Sequence, residues 1–270
     1  MHRTNMQKFT DQNYLTQEQY KDSTNLDKRM EIHRRFSTNP QGWFNWVFAT
    51  LIQLPADANV LELGCGTGMM WKECADKIPP GWTITLSDLS DGMLDAAWRN
   101  LIVTGRNFKF EKMDAQSIPY ADKSFDVVIA NHMLYHVPDR KKALSEIKRV
   151  LKDSGCLIAT TVGENHLKEI TDWLRQASGK SFESFVNPFT LESGWEQLNQ
   201  IFTQVTISRY LDNLHVTEVE PIMAYIRSGF RVSEVSEDEL AKIKFDLEQE
   251  LKQSGRIFIS KDSGLFKALK

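Results

Sequence analysis

The run Leu61-Glu62-Leu63-Gly64-Cys65-Gly66-Thr67-Gly68 constrains the fold of this chain more than any other segment. Three of the 14 glycines fall within it. They follow an apolar run over 59–63 that reads as a buried strand, and a helical run over 69–77 comes next. Glycine at such a junction lets the backbone turn through dihedrals closed to other residues and approach a ligand closely, while the helix N-terminus presents unpaired N–H groups. A dinucleotide-binding turn would have the pattern G-x-G-x-x-G, but the residue five after Gly64 is Met69. Here the third glycine comes one position early, and an acid, Glu62, precedes the first.

The pattern around the turn sets the fold class. Strand-like runs at 82–88, 108–113, 125–131 and 156–162 alternate with helical ones. Ser90 is placed to cap a helix reaching about residue 104, and Asp139 to cap one over 140–152. This predicts an α/β, Rossmann-like, doubly wound and mostly parallel sheet with helices on both faces. Ligands in such sheets bind beyond the carboxyl ends of the strands, near the topological switch point. The first 55 residues read as helical, with Thr16, Asn25 and Asn39-Pro40 as helix starts. After residue 165 helical stretches at 165–178, 191–202, 219–227 and 237–253 surround strands near 204–211 and 256–261, which would extend the sheet. The expected division is a helical N-terminal lid over 1–56, a core over 57–163, and the rest of the sheet with helical substrate-cover insertions over 164–270.

In this order the segments resemble class I S-adenosylmethionine-dependent methyltransferases, and are similar to the small-molecule and quinone-pathway members. The glycine run looks like their first motif. Asp88, at the end of the second strand, stands where the family places an acid on the ribose hydroxyls. Met113-Asp114-Ala115-Gln116 is similar to the adenine clamp, and 125–131 to the fourth strand, whose end faces the methionine moiety. The resemblance is strong over about 57–163 and weaker elsewhere. It implies S-adenosylmethionine as cofactor and S-adenosylhomocysteine as product. The implied cofactor-binding residues are Glu62, Gly64, Cys65, Gly66, Gly68, Asp88, Leu89, Met93, Asp114, Ala115, Gln116 and Asn131, with Tyr20 from the lid. Read without the family, Asp88 is also a helix-preceding cap, Asp114 an ordinary turn residue, and Cys65 a residue chosen for size.

Methyl transfer from a sulfonium requires alignment, exclusion of water and a deprotonated nucleophile. His136 and His132, after the fourth strand, are the candidate catalytic bases, since an unshifted imidazole titrates near pH 6.5. Each could equally be packed to orient its loop. Glu164-Asn165-His166 follows the fifth strand, with Asn165 as a helix cap. Tyr14, Arg29, Arg34 and Arg35 lie in the N-terminal helices, where an arginine could neutralise the methionine carboxylate or an anionic substrate. Phe182, Phe185, Phe189, Trp195 and Phe202 could line an apolar pocket or simply fill the core.

Composition narrows the partner. The chain has 270 residues, 41% hydrophobic and 26% charged, with a formal charge of −3. That argues against a generally basic nucleic-acid binder. The base-amino Asn-Pro-Pro-aromatic turn and a Pro-Cys pair are absent, which removes DNA as a substrate and sets a small-molecule acceptor ahead of RNA. The alternatives are an RNA methyltransferase using Arg140-Lys141-Lys142 and Lys148-Arg149, or a non-catalytic protein that binds the cofactor. Asn131 is no acidic metal ligand, and Cys65, Cys74 and Cys156 form no C-x-x-C pair, so no metal is expected. The N-terminus lacks a signal-like apolar stretch, and the apolar run at 43–54 is too short and interrupted to span a bilayer, so a cytoplasmic location is expected. The methylated atom (O, N or C) and the oligomeric state stay open.

Overall fold

The structure, a computed structural model, describes residues 8–180, 188–229 and 234–270. A helical turn at Leu15–Gln19 leads into helices α1 (Thr24–Phe36) and α2 (Trp43–Ala49). Strands and helices then alternate as β1 (Asn59–Leu63), α3 (Met69–Glu73), β2 (Thr83–Asp88), α4 (Asp91–Leu101), β3 (Lys109–Lys112), β4 (Phe125–Asn131), α5 (Arg140–Val150) and β5 (Leu151–Val162). The second half holds α6 (Lys168–Ser178), α7 (Leu191–Asn199), β6 (Gln204–Tyr210), β7 (Asn213–Val216), α8 (Val219–Arg227), α9 (Glu237–Ser254), β8 (Ile257–Ser260) and β9 (Ser263–Leu269).

A seven-stranded sheet has the order β3-β2-β1-β4-β5-β9-β6, with β9 antiparallel to both neighbours and the remaining pairs parallel. Its central strands read as nearly continuous apolar runs because both faces are covered. Leu61, Leu63, Val128 and Leu157 pack against α5 and α7 on one face. Val60, Val127, Ile129 and Ile158 pack against α2, α3 and α4 on the other. Leu63 sits level with both Ser87 and Ala130, and Asn131 with Thr160, so the carboxyl ends of β1, β2, β4 and β5 form one edge. Strand order reverses between β1 and β4, which makes that edge the switch point.

Several expected helix starts are seen and others are not. Ser90 Oγ accepts from the Met93 N–H (3.3 Å) and Asp139 Oδ1 from the Lys142 N–H (2.9 Å). Thr16 instead donates its hydroxyl to the Gln12 carbonyl (2.9 Å), and Asp11 accepts from the Asn13 and Tyr14 N–H groups. Asn25 lies inside the first turn of α1, where its amide donates to the Gln19 carbonyl. Asn165 caps nothing, because α6 begins after Leu167, a residue at φ 53°.

The expected extension of the sheet needs correction. β6 joins it, but through β9, a strand not expected from the sequence. β8, expected to extend the sheet, pairs with β7 in a separate two-stranded ribbon. The reason is burial: Leu214, Val216, Ile257 and Ile259 are fully enclosed in a core of their own, built with α6, α8 and α9. Ile32 and Phe36 of α1 enter that same core, whereas Val47 and Phe48 of α2 enter the core beneath the sheet.

Candidate active site

The glycine turn lies at the switch-point edge, between β1 and α3. Gly64 and Gly66 have φ of 67° and 54°, in the left-handed region that other residues rarely adopt. A Cβ on Gly64 would stand 2.8 Å from Met133 Cβ. The turn is fixed by the Cys65 N–H, which donates to the Ser87 carbonyl (2.8 Å), and by the Gly66 N–H, which donates to Asp88 Oδ2 (3.0 Å). Asp88 Oδ1 accepts from the Ser90 N–H (2.9 Å), and burial raises its pKa. Leu89 is half-buried and Met93 buried directly beyond. Cys65 is held as a neutral thiol, because burial and the nearby acids push its pKa well up.

Glu62 is buried behind the turn. Trp71 Nε1 donates to Oε2 and Asn131 Nδ2 to Oε1 (2.7 Å), yet burial still pushes its pKa up to about 7. This contact brings Asn131, at the end of β4, to the end of β1. Asp114 follows β3, and its Oδ1 accepts from the Gln116 N–H (2.9 Å) and its Oδ2 from Gln12 Nε2 (2.9 Å). Burial alone would raise its pKa, but these donors hold it below the usual carboxylate range. Ala115 is buried beside it.

The N-terminal segment closes over this edge. Tyr20 OH bonds His136 Nε2 (3.0 Å), while His136 Nδ1 bonds the Phe9 carbonyl (2.8 Å). A carbonyl can only accept, so Nδ1 carries the proton and Nε2 receives the phenol. Ser90 Oγ donates to the Tyr20 carbonyl (2.6 Å). A Cβ on Gly92 would stand 1.8 Å from the Lys21 carbonyl oxygen, and Leu26 lies against Gly66. Gln12 and Gly92 were not expected at the site; their partners lie far away in sequence, and no local pattern marks them.

The candidate bases are poor ones in this setting. Burial pushes the pKa of His136 down to about 3 and that of His132 down to about 4. His132 has φ 50°, and its N–H donates to Thr160 while its ring lies 5.2 Å from Trp43. Of the N-terminal arginines, Arg34 pairs with Glu31, and Arg35 pairs with Glu218. Arg29 turns inward, donating from Nη1 to the Ser228 carbonyl (3.0 Å), with its guanidinium 5.3 Å from the Tyr20 ring. Tyr14 is half-buried with Lys8 over its ring. Glu164 is exposed, and the amide N–H of Asp262 donates to His166 Nδ1 (3.2 Å). Of the aromatics read as pocket lining or core, Phe189 and Phe202 are core, and Trp195 is 46% exposed. Phe182 and Phe185 lie outside the described residues.

Residues 61–159 match the family described as a methyltransferase domain. A malonyl-acyl-carrier-protein O-methyltransferase from Legionella pneumophila is 34% identical over 124 residues, 44% of this chain and 41% of the relative. A demethylmenaquinone methyltransferase from Lactobacillus johnsonii is 36% identical over 129 residues, 46% of this chain and 52% of the relative. The chain thus spans about half the length of the curated relatives it matches. The crystal structure of the cyclase SpnF matches with a TM-score of 0.63 at 20% identity, covering 96% of each chain, a likeness of fold alone.

Proposed function

We propose, from the premise that residues 61–159 belong to a class I S-adenosylmethionine-dependent methyltransferase domain, that this chain methylates a small-molecule acceptor and releases S-adenosylhomocysteine. The observation that carries the reading is the contact between Asp88 and the Gly66 N–H, in a turn whose glycines leave no room for side chains. It brings a carboxylate to a bare backbone at the carboxyl edge of the sheet. The residues fit the cofactor. Each oxygen of Asp88 already accepts one N–H and can accept again from a ribose hydroxyl. Asp114, Ala115 and Gln116 would hold the adenine, with Leu89 and Met93 beside it. The turn 64–68, Glu62 and Asn131 would border the methionine end. Arg29 would take the methionine carboxylate, since its Nη2 is buried without a partner.

When bound, the cofactor supplies an activated methyl group on a sulfonium. The chain's own residues orient and enclose. Gln12, Tyr20, Lys21 and Leu26 hold the N-terminal segment across the edge and exclude water, which strengthens the electrostatics inside. His136 acts in this reading as a fastener between Phe9 and Tyr20, and is neutral at physiological pH. On this reading the core over 57–163 carries the cofactor, while 1–56 and 164–270 shape the acceptor site. An RNA acceptor suits the surface less well. Arg149 is bound to Asp122 and Glu146, Arg140 to Gln197, and Lys148 to the Ile201 carbonyl. No described helix is long and apolar enough to cross a membrane, and Cys65, Cys74 and Cys156 are unpaired, which supports a reducing compartment such as the cytoplasm.

Calorimetry with S-adenosylmethionine tests the premise, and absence of binding at millimolar cofactor would sink it. Formation of S-adenosylhomocysteine with a nuclease-treated metabolite extract tests the activity. Turnover that disappears on nuclease treatment would move the acceptor to RNA.

A further inference from the structure

Buried side-chain polar atoms without a partner are rare in native proteins. Among the described residues there are three: Arg29 Nη2, His33 Nδ1 and Tyr210 OH. They lie along one stretch of wall. Arg29 and His33 are one turn apart on α1. The His33 ring lies 6.0 Å from His166 and 6.0 Å from Tyr225. Tyr210 lies 5.3 Å from Trp43, whose ring lies 5.2 Å from His132 at the end of β4. Lys261 Nζ stands 5.6 Å from the Tyr210 ring, and its charge helps lower the pKa values of His33, His132 and His166. These three imidazoles keep partial accessibility although protein surrounds them, as groups lining an internal space do.

The wall offers donors in the Lys261 ammonium and the Tyr210 hydroxyl, and in His33 as its Nδ1–H tautomer. Lys261 is buried and bound to Asp212, but that carboxylate also accepts from Ser37 Oγ, from both N–H and hydroxyl of Thr38, and from the N–H groups of Asn39 and Asn213. Asp212 is saturated by its own clamp, and two of the three Lys261 N–H bonds remain for another acceptor. A cationic ligand would meet Lys261. An apolar one would leave the imidazole and the phenol unpaired. Tyr210, Asp212 and Lys261 also border a cleft of about 340 Å³ open to solvent.

Resting on the methyltransferase reading, we infer that this chamber docks the acceptor and selects one bearing an oxyanion, a carboxylate or a phosphate, held by His33, Tyr210 and Lys261. The wall begins at His132, directly after Asn131, so a group anchored there reaches back toward the glycine turn. His33 Nδ1 makes no hydrogen bond within the fold, and the Tyr210 hydroxyl has only Ser37 and the Gly42 backbone near it, so neither is committed to a strong partner of its own.

The test is calorimetric titration of the full chain, with and without S-adenosylhomocysteine, by hexanoate, butyl phosphate and the neutral hexanamide. One of the two anions should bind at least about tenfold tighter than hexanamide, and the tighter one names the source. Tyr210→Phe and His33→Leu should each weaken that anion about tenfold, leave S-adenosylhomocysteine binding unchanged, and keep or raise Tm. Equal binding of anion and amide, no anion binding up to about 50 mM, or variants that lower Tm without weakening the anion would overturn the inference. Anion binding without any S-adenosylhomocysteine binding would instead overturn the methyltransferase reading and leave the oxyanion chamber standing.

Discussion

Asp88 holds two backbone N–H groups, from Gly66 and Ser90, on two different oxygens. Replacing it with alanine removes charge-assisted bonds on both the turn and the ligand, so Asp88→Ala should weaken S-adenosylhomocysteine about 10–100-fold by calorimetry. Glu62 gives a pH signature. Its folded pKa of about 7 lies above the ordinary 4.5, so the native state holds the proton more tightly. The stability this gives is full below 4.5 and is lost as pH rises through 7. Glu62→Gln does not titrate, so wild type should lose roughly 3 kcal/mol relative to the variant between pH 4.5 and pH 8 in urea unfolding. For His136, whose imidazole joins Phe9 to Tyr20, His136→Ala should lower turnover about 10–100-fold through misplacement of the lid. Cofactor affinity should change less; a change confined to affinity would contradict this role. The positions of Asp88 and Asp114 were legible in the sequence because the first closes a strand and the second comes just after one. Gln12 and His33 were not, because what gives them meaning is a partner or a gap supplied by distant chain.

Elements made of contiguous pattern were read well. β4 was expected over 125–131 and stands there, and α8 likewise over 219–227. Buried parallel strands between capped helices announce themselves by uninterrupted apolar runs. The ribbon of β7 and β8 was not legible, since a short strand with alternating burial looks the same whether it joins a large sheet or a small one. What fixes the ribbon is the Asp212 clamp at its head, which binds the end of α1 to the start of β7. Asp212 is fully buried with Lys261, so Asp212→Ala leaves a buried ammonium without its counter-charge and strands the donors of Ser37 and Thr38. We expect a loss of about 3–5 kcal/mol in urea unfolding. A loss below 1 kcal/mol would mean that water replaces the carboxylate.

At the scale of the whole molecule, the N-terminal segment ties two cores together: α1 belongs to the cover and α2 to the sheet. Cofactor binding should therefore stabilise the chain as one unit. At a hundredfold excess of S-adenosylhomocysteine over its dissociation constant, the unfolding free energy should rise by about 2.7 kcal/mol, in a single calorimetric transition. Two transitions, only one of them shifted, would show that core and cover unfold separately. The class of fold was legible from the alternation alone, because it depends on local pattern. The seating of the cover was not, because its core gathers α1, α6, α8, α9 and the ribbon from distant chain, and neither was the insertion of β9 between β5 and β6. That insertion also has a consequence in time. Residues 204–210 are made well before 263–269, the strand that joins them to β5. Until β9 emerges during synthesis, the growing sheet ends at β5 with an open row of backbone groups, and β6 waits without a partner. In the life of each molecule, the cradle around the glycine turn can form first, and the chamber that ends at Lys261 last.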